Sequence, residues 1–191
     1  MTRETGRPLR ADAQRNREKL LEAAVRVFAE QGLGAHRERI AKEAGVGAGT
    51  LYRNFPTREA LIEAAYRNEL AKLCEAVPEL LGALPPHTAL RTWMARFIDY
   101  TTAKLGMAEA LRAVVDAGVN PYAESRERIQ GALASLLEAG VATGAVRSDV
   151  SAADALVALT GIALTCTKPD QRDQAERLLD LLYDGLTAKR S

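Results

Sequence analysis

Thr50, Tyr52, Arg53 and Asn54 fall within one short segment, and all four can donate hydrogen bonds to phosphate oxygens or base edges. Gly47, Ala48 and Gly49 precede them. These small residues let a backbone approach a surface closely but carry little hydrogen-bonding information. Such a set suits recognition of a polyanion better than the making or breaking of bonds, and it needs a rigid element to hold it. The stretch from Ile40 to Leu61, IAKEAGVGAGTLYRNFPTREAL, predicts that element. Ile40 and Ala41 are the apolar positions of a first helix. Gly45 stands where that helix must stop and positive φ is favoured. Val46 plugs the turn, and residues 48–54 form a second helix that buries Leu51 and Phe55. Two helices joined by a tight glycine turn make a helix-turn-helix, whose second helix lies in the DNA major groove. An ordinary helical hairpin would share the turn. The coincidence of turn, short second helix and polar tip points instead to DNA.

The same residues carry a family resemblance. IAKEA at 40–44 and GVGAGTLYRNFPTREAL at 45–61 resemble the recognition region of TetR-type (TetR/AcrR) transcriptional regulators, densely over about residues 17–66. The resemblance implies that DNA is held by the start of the second helix, by the recognition helix and by the start of the fourth helix. Carried over by position, these are His36 and Arg37, then Gly47, Ala48, Gly49, Thr50, Tyr52, Arg53 and Asn54, and finally Arg58. Tyr52 would lie against the DNA backbone, Thr50 would meet a phosphate or a thymine methyl, and Arg58 would ground the fourth helix on a phosphate. Arg53 has two readings, a bidentate contact to guanine or a phosphate contact. Three positions depart from the family pattern: Asn54 where His is usual, Gly47 where Ser is usual, and His36-Arg37 where Thr is common.

Charge distribution agrees. The 191 residues carry a net charge of +1, but residues 1–60 hold 12 Lys/Arg against 8 Asp/Glu, whereas residues 61–191 hold 14 against 17. Positive charge collects on the segment that would meet phosphates. The arm Arg3, Arg7, Arg10, Arg15 and Arg17 reads either as a minor-groove arm or as a solvated tail. Cys74 and Cys166 show no metal-ligand spacing and read as buried thiols. No apolar run approaches the ~20 residues of a membrane span, and the polar N-terminus lacks a signal-peptide core. A cytoplasmic protein is expected.

Periodicity and chain breaks divide the chain into a flexible arm (1–12), a helix-turn-helix domain (13–60) and a helical remainder (61–191), which the resemblance implies is an effector-binding and dimerisation domain. The fold class is all-α, a three-helix head followed by a C-terminal bundle, about nine helices in all. Thr57 is placed to cap a long fourth helix ending near Pro78. Pro85-Pro86 marks the next boundary, Asn120-Pro121 opens a later helix, Ser151 caps the penultimate one and Pro169-Asp170 opens the last.

In the body, the family resemblance implies a small-molecule effector and a homodimer. Trp93, Met94, Phe97, Tyr100 and Met107 concentrate apolar and aromatic mass, with Arg96, Asp99, Thr101 and Thr102 interleaved. They read as a pocket lining or as plain core, and Asn120, Tyr122 and Cys166 are further lining candidates. Stripes at Leu156, Leu159 and Ala163, then Leu178, Leu179, Leu182 and Leu186, would build a two-fold four-helix interface or pack within the monomer. No catalytic constellation, cofactor motif or metal site is present: His36 and His87 are the only histidines, and GVGAG at 45–49 sits in a helical turn rather than after a strand. The expected function is sequence-specific transcriptional regulation, by a repressor that an effector releases from a palindromic operator. The alternatives are an effector-independent dimeric DNA-binding protein and a transcriptional activator.

Overall fold

The computed structural model describes residues 6–166 and 168–187, with side chains from residue 11 onward except that of Pro169. Among these residues run nine α-helices: α1 (Gly6–Gln31), α2 (Arg37–Glu43), α3 (Ala48–Asn54), α4 (Arg58–Ala83), α5 (Pro86–Gly106), α6 (Ala108–Asp116), α7 (Ser125–Ala142), α8 (Ala152–Thr165) and α9 (Arg172–Leu186). Short 3-10 turns occupy Gly32–Gly34 and Pro169–Gln171. The architecture is all-α, as the sequence implied. Its one β-type pairing among the described residues is an isolated bridge between Val146 and Thr187.

The helices group into two compact units. One takes in the chain up to Asn68 together with Ala103–Pro121; the other takes in Glu69–Thr102 and the chain from Tyr122 onward. The unit that holds the helix-turn-helix therefore extends beyond residue 60 and recruits α6. Its buried side chains include Leu20, Leu21, Val27, Phe28, Ile40, Leu51, Leu61, Met107 and Leu111. Each such side chain contributes roughly 1.5–3 kcal/mol of burial. The second unit buries Leu73, Trp93, Met94, Phe97, Leu133, Leu136, Leu159 and Leu179.

Helix boundaries follow local chemistry, with three departures from the sequence reading. First, α1 begins at Gly6 rather than near Ala13, so part of the expected arm is helical; Arg3 and the side chains of Arg7 and Arg10 lie outside the described residues. Second, α4 passes through Pro78 and continues to Ala83. An exposed proline removes one ladder bond without forcing an end where its ring finds room. Third, Asn120-Pro121 does not open α7. The chain turns first, Ser125 N donates to Tyr122 O at 3.1 Å, and Glu124 holds a left-handed φ of 65° before the helix begins. By contrast Ser151 caps α8 as its position implied, its hydroxyl accepting from Asp154 N at 3.1 Å.

Candidate nucleic-acid interface

The turn between α2 and α3 is closed by the backbone itself. Gly45 has φ 65°, which lets Gly45 N donate to Lys42 O at 3.1 Å and Val46 N to Ala41 O at 2.9 Å. These two bonds form a Schellman stop, and they satisfy carbonyls that the end of α2 would leave bare. Ile40, Ala41, Leu51 and Phe55 then bury the inner sides of the two helices. The outer side of α3 leaves Ala48, Gly49, Tyr52, Arg53 and Asn54 exposed, with Gly47 exposed just before it and His36 at the N-cap of α2.

The polar residues of this surface are bonded to one another. Arg53 Nη2 donates to Thr50 Oγ1 at 3.1 Å, and Asn54 Nδ2 donates to Thr50 O at 2.8 Å. The guanidinium of Arg37 lies 4.4 Å from the centre of the Tyr52 ring while donating to Pro56 O at 3.0 Å and to Phe55 O at 3.4 Å. The Tyr52 hydroxyl donates to the Glu38 carboxylate. That bond is the main reason the Glu38 carboxyl is held below, and the Tyr52 phenol above, its ordinary range. Arg17 adds a cation–π contact 5.4 Å from the Phe55 ring.

Two expected phosphate ligands are thereby committed to the protein. Arg37 fastens the end of α3. Arg58 Nη2 donates to Gly32 O at 3.1 Å, its guanidinium lies 5.4 Å from the centre of the Phe28 ring, and its buried Nε finds no hydrogen-bond partner among the described residues. Arg58 thus ties the start of α4 to the turn after α1, with Thr57 Oγ1 accepting from Ala60 N at 3.0 Å to cap the helix. The same turn meets α6. Leu33 N donates to Glu109 Oε2 at 3.3 Å, and a Cβ on Gly32, whose φ is 51°, would come within 2.0 Å of that oxygen. The sequence reading missed Glu38 and Glu109. Both act on partners distant along the chain, and no local pattern announces them.

The body candidates separate by burial. Trp93, Met94, Phe97, Tyr100 and Met107 are all buried; the Trp93 indole N–H donates to Leu73 O at 2.9 Å, and its ring centre lies 5.9 Å from that of Phe97. Cys166 is buried and Asn120 exposed. An open cleft of about 570 Å³ near the start of α7 takes in one lining candidate, Tyr122, together with Glu124, Arg126, Glu127, Gln130, Gly131 and Ala134. Among the interface candidates, Leu156, Leu159, Ala163, Leu179 and Leu186 are buried within this chain, and Leu178 and Leu182 are half-buried. The exposed large apolar residues of α8 and α9 are Val157, Leu164 and Leu181. A groove of about 250 Å³ is lined by Leu181 together with Val150, Asp154, Ala155, Ala158, Leu182, Gly185 and Leu186.

Comparison with known proteins agrees with this geometry. The profile of bacterial regulatory proteins of the tetR family matches residues 20–65, and that of the C-terminal domain of SbtR-like transcriptional regulators matches residues 85–188. The crystal structure of the TetR transcriptional regulator SCO0520 from Streptomyces coelicolor is 66% identical, covers 91% of this chain and 99% of its own, and superposes with a TM-score of 0.89. A TetR transcription regulatory protein from Mycobacterium vanbaalenii is 34% identical over 95% of this chain and 100% of its own, with a TM-score of 0.77. The HTH-type transcriptional repressor KstR2 of Rhodococcus jostii is 30% identical over 141 residues, 70% of this chain and 69% of its own. With a tetR-type head, an SbtR-like body and an exposed polar α3 in one chain, the protein belongs to the TetR family and is a DNA-binding transcriptional regulator rather than an enzyme.

Proposed function

We propose that the protein is a cytoplasmic repressor that binds a palindromic operator as a homodimer and is released by a small-molecule effector. The observation that carries the dimer is the apolar face of α8 and α9, where Val157, Leu164 and Leu181 stand 65%, 54% and 69% exposed. Large apolar residues left exposed are what an association surface leaves uncovered in a single chain. Regulators of this family bind DNA and act as dimers, and a two-fold partner on this face would present two copies of α3 to one duplex. The dimer residues are then Val157, Leu164 and Leu181, with Leu178 and Leu182 at the margin. Leu156, Leu159, Ala163, Leu179 and Leu186 support the face from within.

On the DNA side, Thr50, Arg53 and Asn54 supply the exchangeable donors, Tyr52 and His36 flank them, and Gly47, Ala48 and Gly49 allow close approach. Arg37 and Arg58 position these groups by holding α3 and α4. The repressor reading is supported by the relative named as a repressor. Effector release would act by changing the spacing of the two heads, with a reciprocal coupling commonly of ~1–3 kcal/mol. An effector-independent regulator is the second reading. It is favoured by Trp93, which is fully buried with its N–H satisfied, as a core residue would be.

Selection of the purified protein on a randomised duplex pool, followed by sequencing of what is retained, tests the proposal. An inverted repeat with half-sites about one helical turn, ~34–36 Å, or a multiple apart supports the dimeric regulator. Retention without any motif would overturn it.

A further inference from the structure

We infer that Glu38 is a specificity-determining residue of the DNA-facing surface, a fixed anion that penalises phosphate-only binding. The inference rests on the DNA-binding reading above and adds a role for an acidic residue within it. Glu38 lies in the first turn of α2 and is exposed. Its carboxylate accepts the hydroxyl of Tyr52, the exposed aromatic residue of α3. Arg37, the neighbour of Glu38, stacks on the same ring and is itself fastened to Phe55 O and Pro56 O. Tyr52 is therefore gripped at its ring and at its hydroxyl, and the carboxylate is held against the recognition helix.

The contrast with two other acids of the head is informative. Glu43 accepts from Arg26 at 2.7 Å and Glu30 from Arg39 at 2.6 Å, so their charges are matched by guanidinium groups. The hydrogen-bond partner of Glu38 is a neutral phenol, and the nearby Arg37 guanidinium, whose charge favours the carboxylate, is itself engaged over the Tyr52 ring and at Phe55 O and Pro56 O.

An anion at this position acts differently on two kinds of duplex. A duplex that seats Thr50, Arg53 and Asn54 on base edges fixes the register of its backbone, and with it the distance of each phosphate from Glu38. A duplex without those edges is held by phosphates alone and samples many registers. In a share of them a phosphate meets the carboxylate, and the like charges repel. Any phosphate that takes the Tyr52 hydroxyl also leaves Glu38 without its donor, beside a second anion. The tip of α3 offers only Gly47, Ala48 and Gly49, so positive base reading rests on few donors, and a repulsive element adds discrimination that they lack.

The experiment measures dissociation constants of the full chain for the selected duplex and for a scrambled duplex of equal length and composition, in wild type, Glu38→Gln and Glu38→Ala, across a salt series. In both variants affinity for the scrambled duplex should rise by about 3–10-fold at low salt, with the selected duplex changing by less than about 2-fold. The preference for the selected duplex falls accordingly, and the difference between variant and wild type shrinks as salt rises. An unchanged preference, or equal tightening on both duplexes, overturns the inference. Weakening confined to the selected duplex also overturns it, and would make Glu38 a base-reading acceptor or a simple strut. Wild-type preference for the selected duplex is the internal control. If it is absent, the DNA-binding reading fails as well; if it is present, only the role of Glu38 is in question.

Discussion

The recognition segment and the α8–α9 face expose opposite kinds of side chain. On the first, Thr50, Tyr52, Arg53 and Asn54 are polar and already bonded within the head, to Thr50 itself, to Glu38 or across the Arg37 stack. On the second, Val157, Leu164 and Leu181 stand in water with nothing to satisfy. The two surfaces therefore gain differently from a partner. A bonded polar group must exchange one hydrogen bond for another, so each contact nets only ~0.5–1.5 kcal/mol and rewards the correct partner over a wrong one. An exposed apolar group gains ~25 cal/mol for each Å² it buries and has no prior bond to break. On the proposed function, the head discriminates between partners and the body face associates.

Substitutions that pair an inward with an outward position break this comparison most sharply. Leu179 is fully buried in α9, and Leu179→Asp should cost more than ~4 kcal/mol and abolish cooperative thermal unfolding, read by circular dichroism. Leu181, two positions along, is 69% exposed. Leu181→Asp should leave the protomer's melting within ~0.5 kcal/mol of wild type. In sedimentation velocity it should weaken association by ~3–5 kcal/mol, because each copy then buries an uncompensated carboxylate. In the head, Arg53→Ala should cost ~1–3 kcal/mol of affinity and relax selectivity at one base pair if Arg53 reads guanine. Uniform loss across sequences, with a salt slope reduced by about one, would make it a phosphate contact. The smallest effect concerns the turn. Gly45→Ala forces a left-handed Cβ at φ 65° and should lower stability by ~1–2 kcal/mol, with little change in the rank order of duplexes bound.

Much of the head was legible because its determinants are local. The glycine at 45, the plug at Val46 and the buried Leu51 and Phe55 follow from chemistry within a few residues, and each sits where the pattern places it. What the sequence did not disclose was the choice of partner. Arg58 reads in sequence as a phosphate contact, yet its guanidinium is committed to Gly32 O, 26 positions earlier, and Tyr52 to Glu38, 14 positions earlier. The body was legible as helices but not as faces. The helix α8 is apolar on every side, so periodicity alone could not separate the inward Leu156, Leu159 and Ala163 from the outward Val157 and Leu164. Likewise Asn120-Pro121 carries the composition of a helix start, but the chain spends residues 121–124 in a turn first.

The most direct test of the account is a nucleotide-resolution footprint of the full chain on its selected duplex, read for wild type and Leu181→Asp. Wild type should show two symmetric protected half-sites, one for each copy of α3, and the variant should lose that paired protection at the same concentration. A single asymmetric footprint, identical in both proteins, would contradict it.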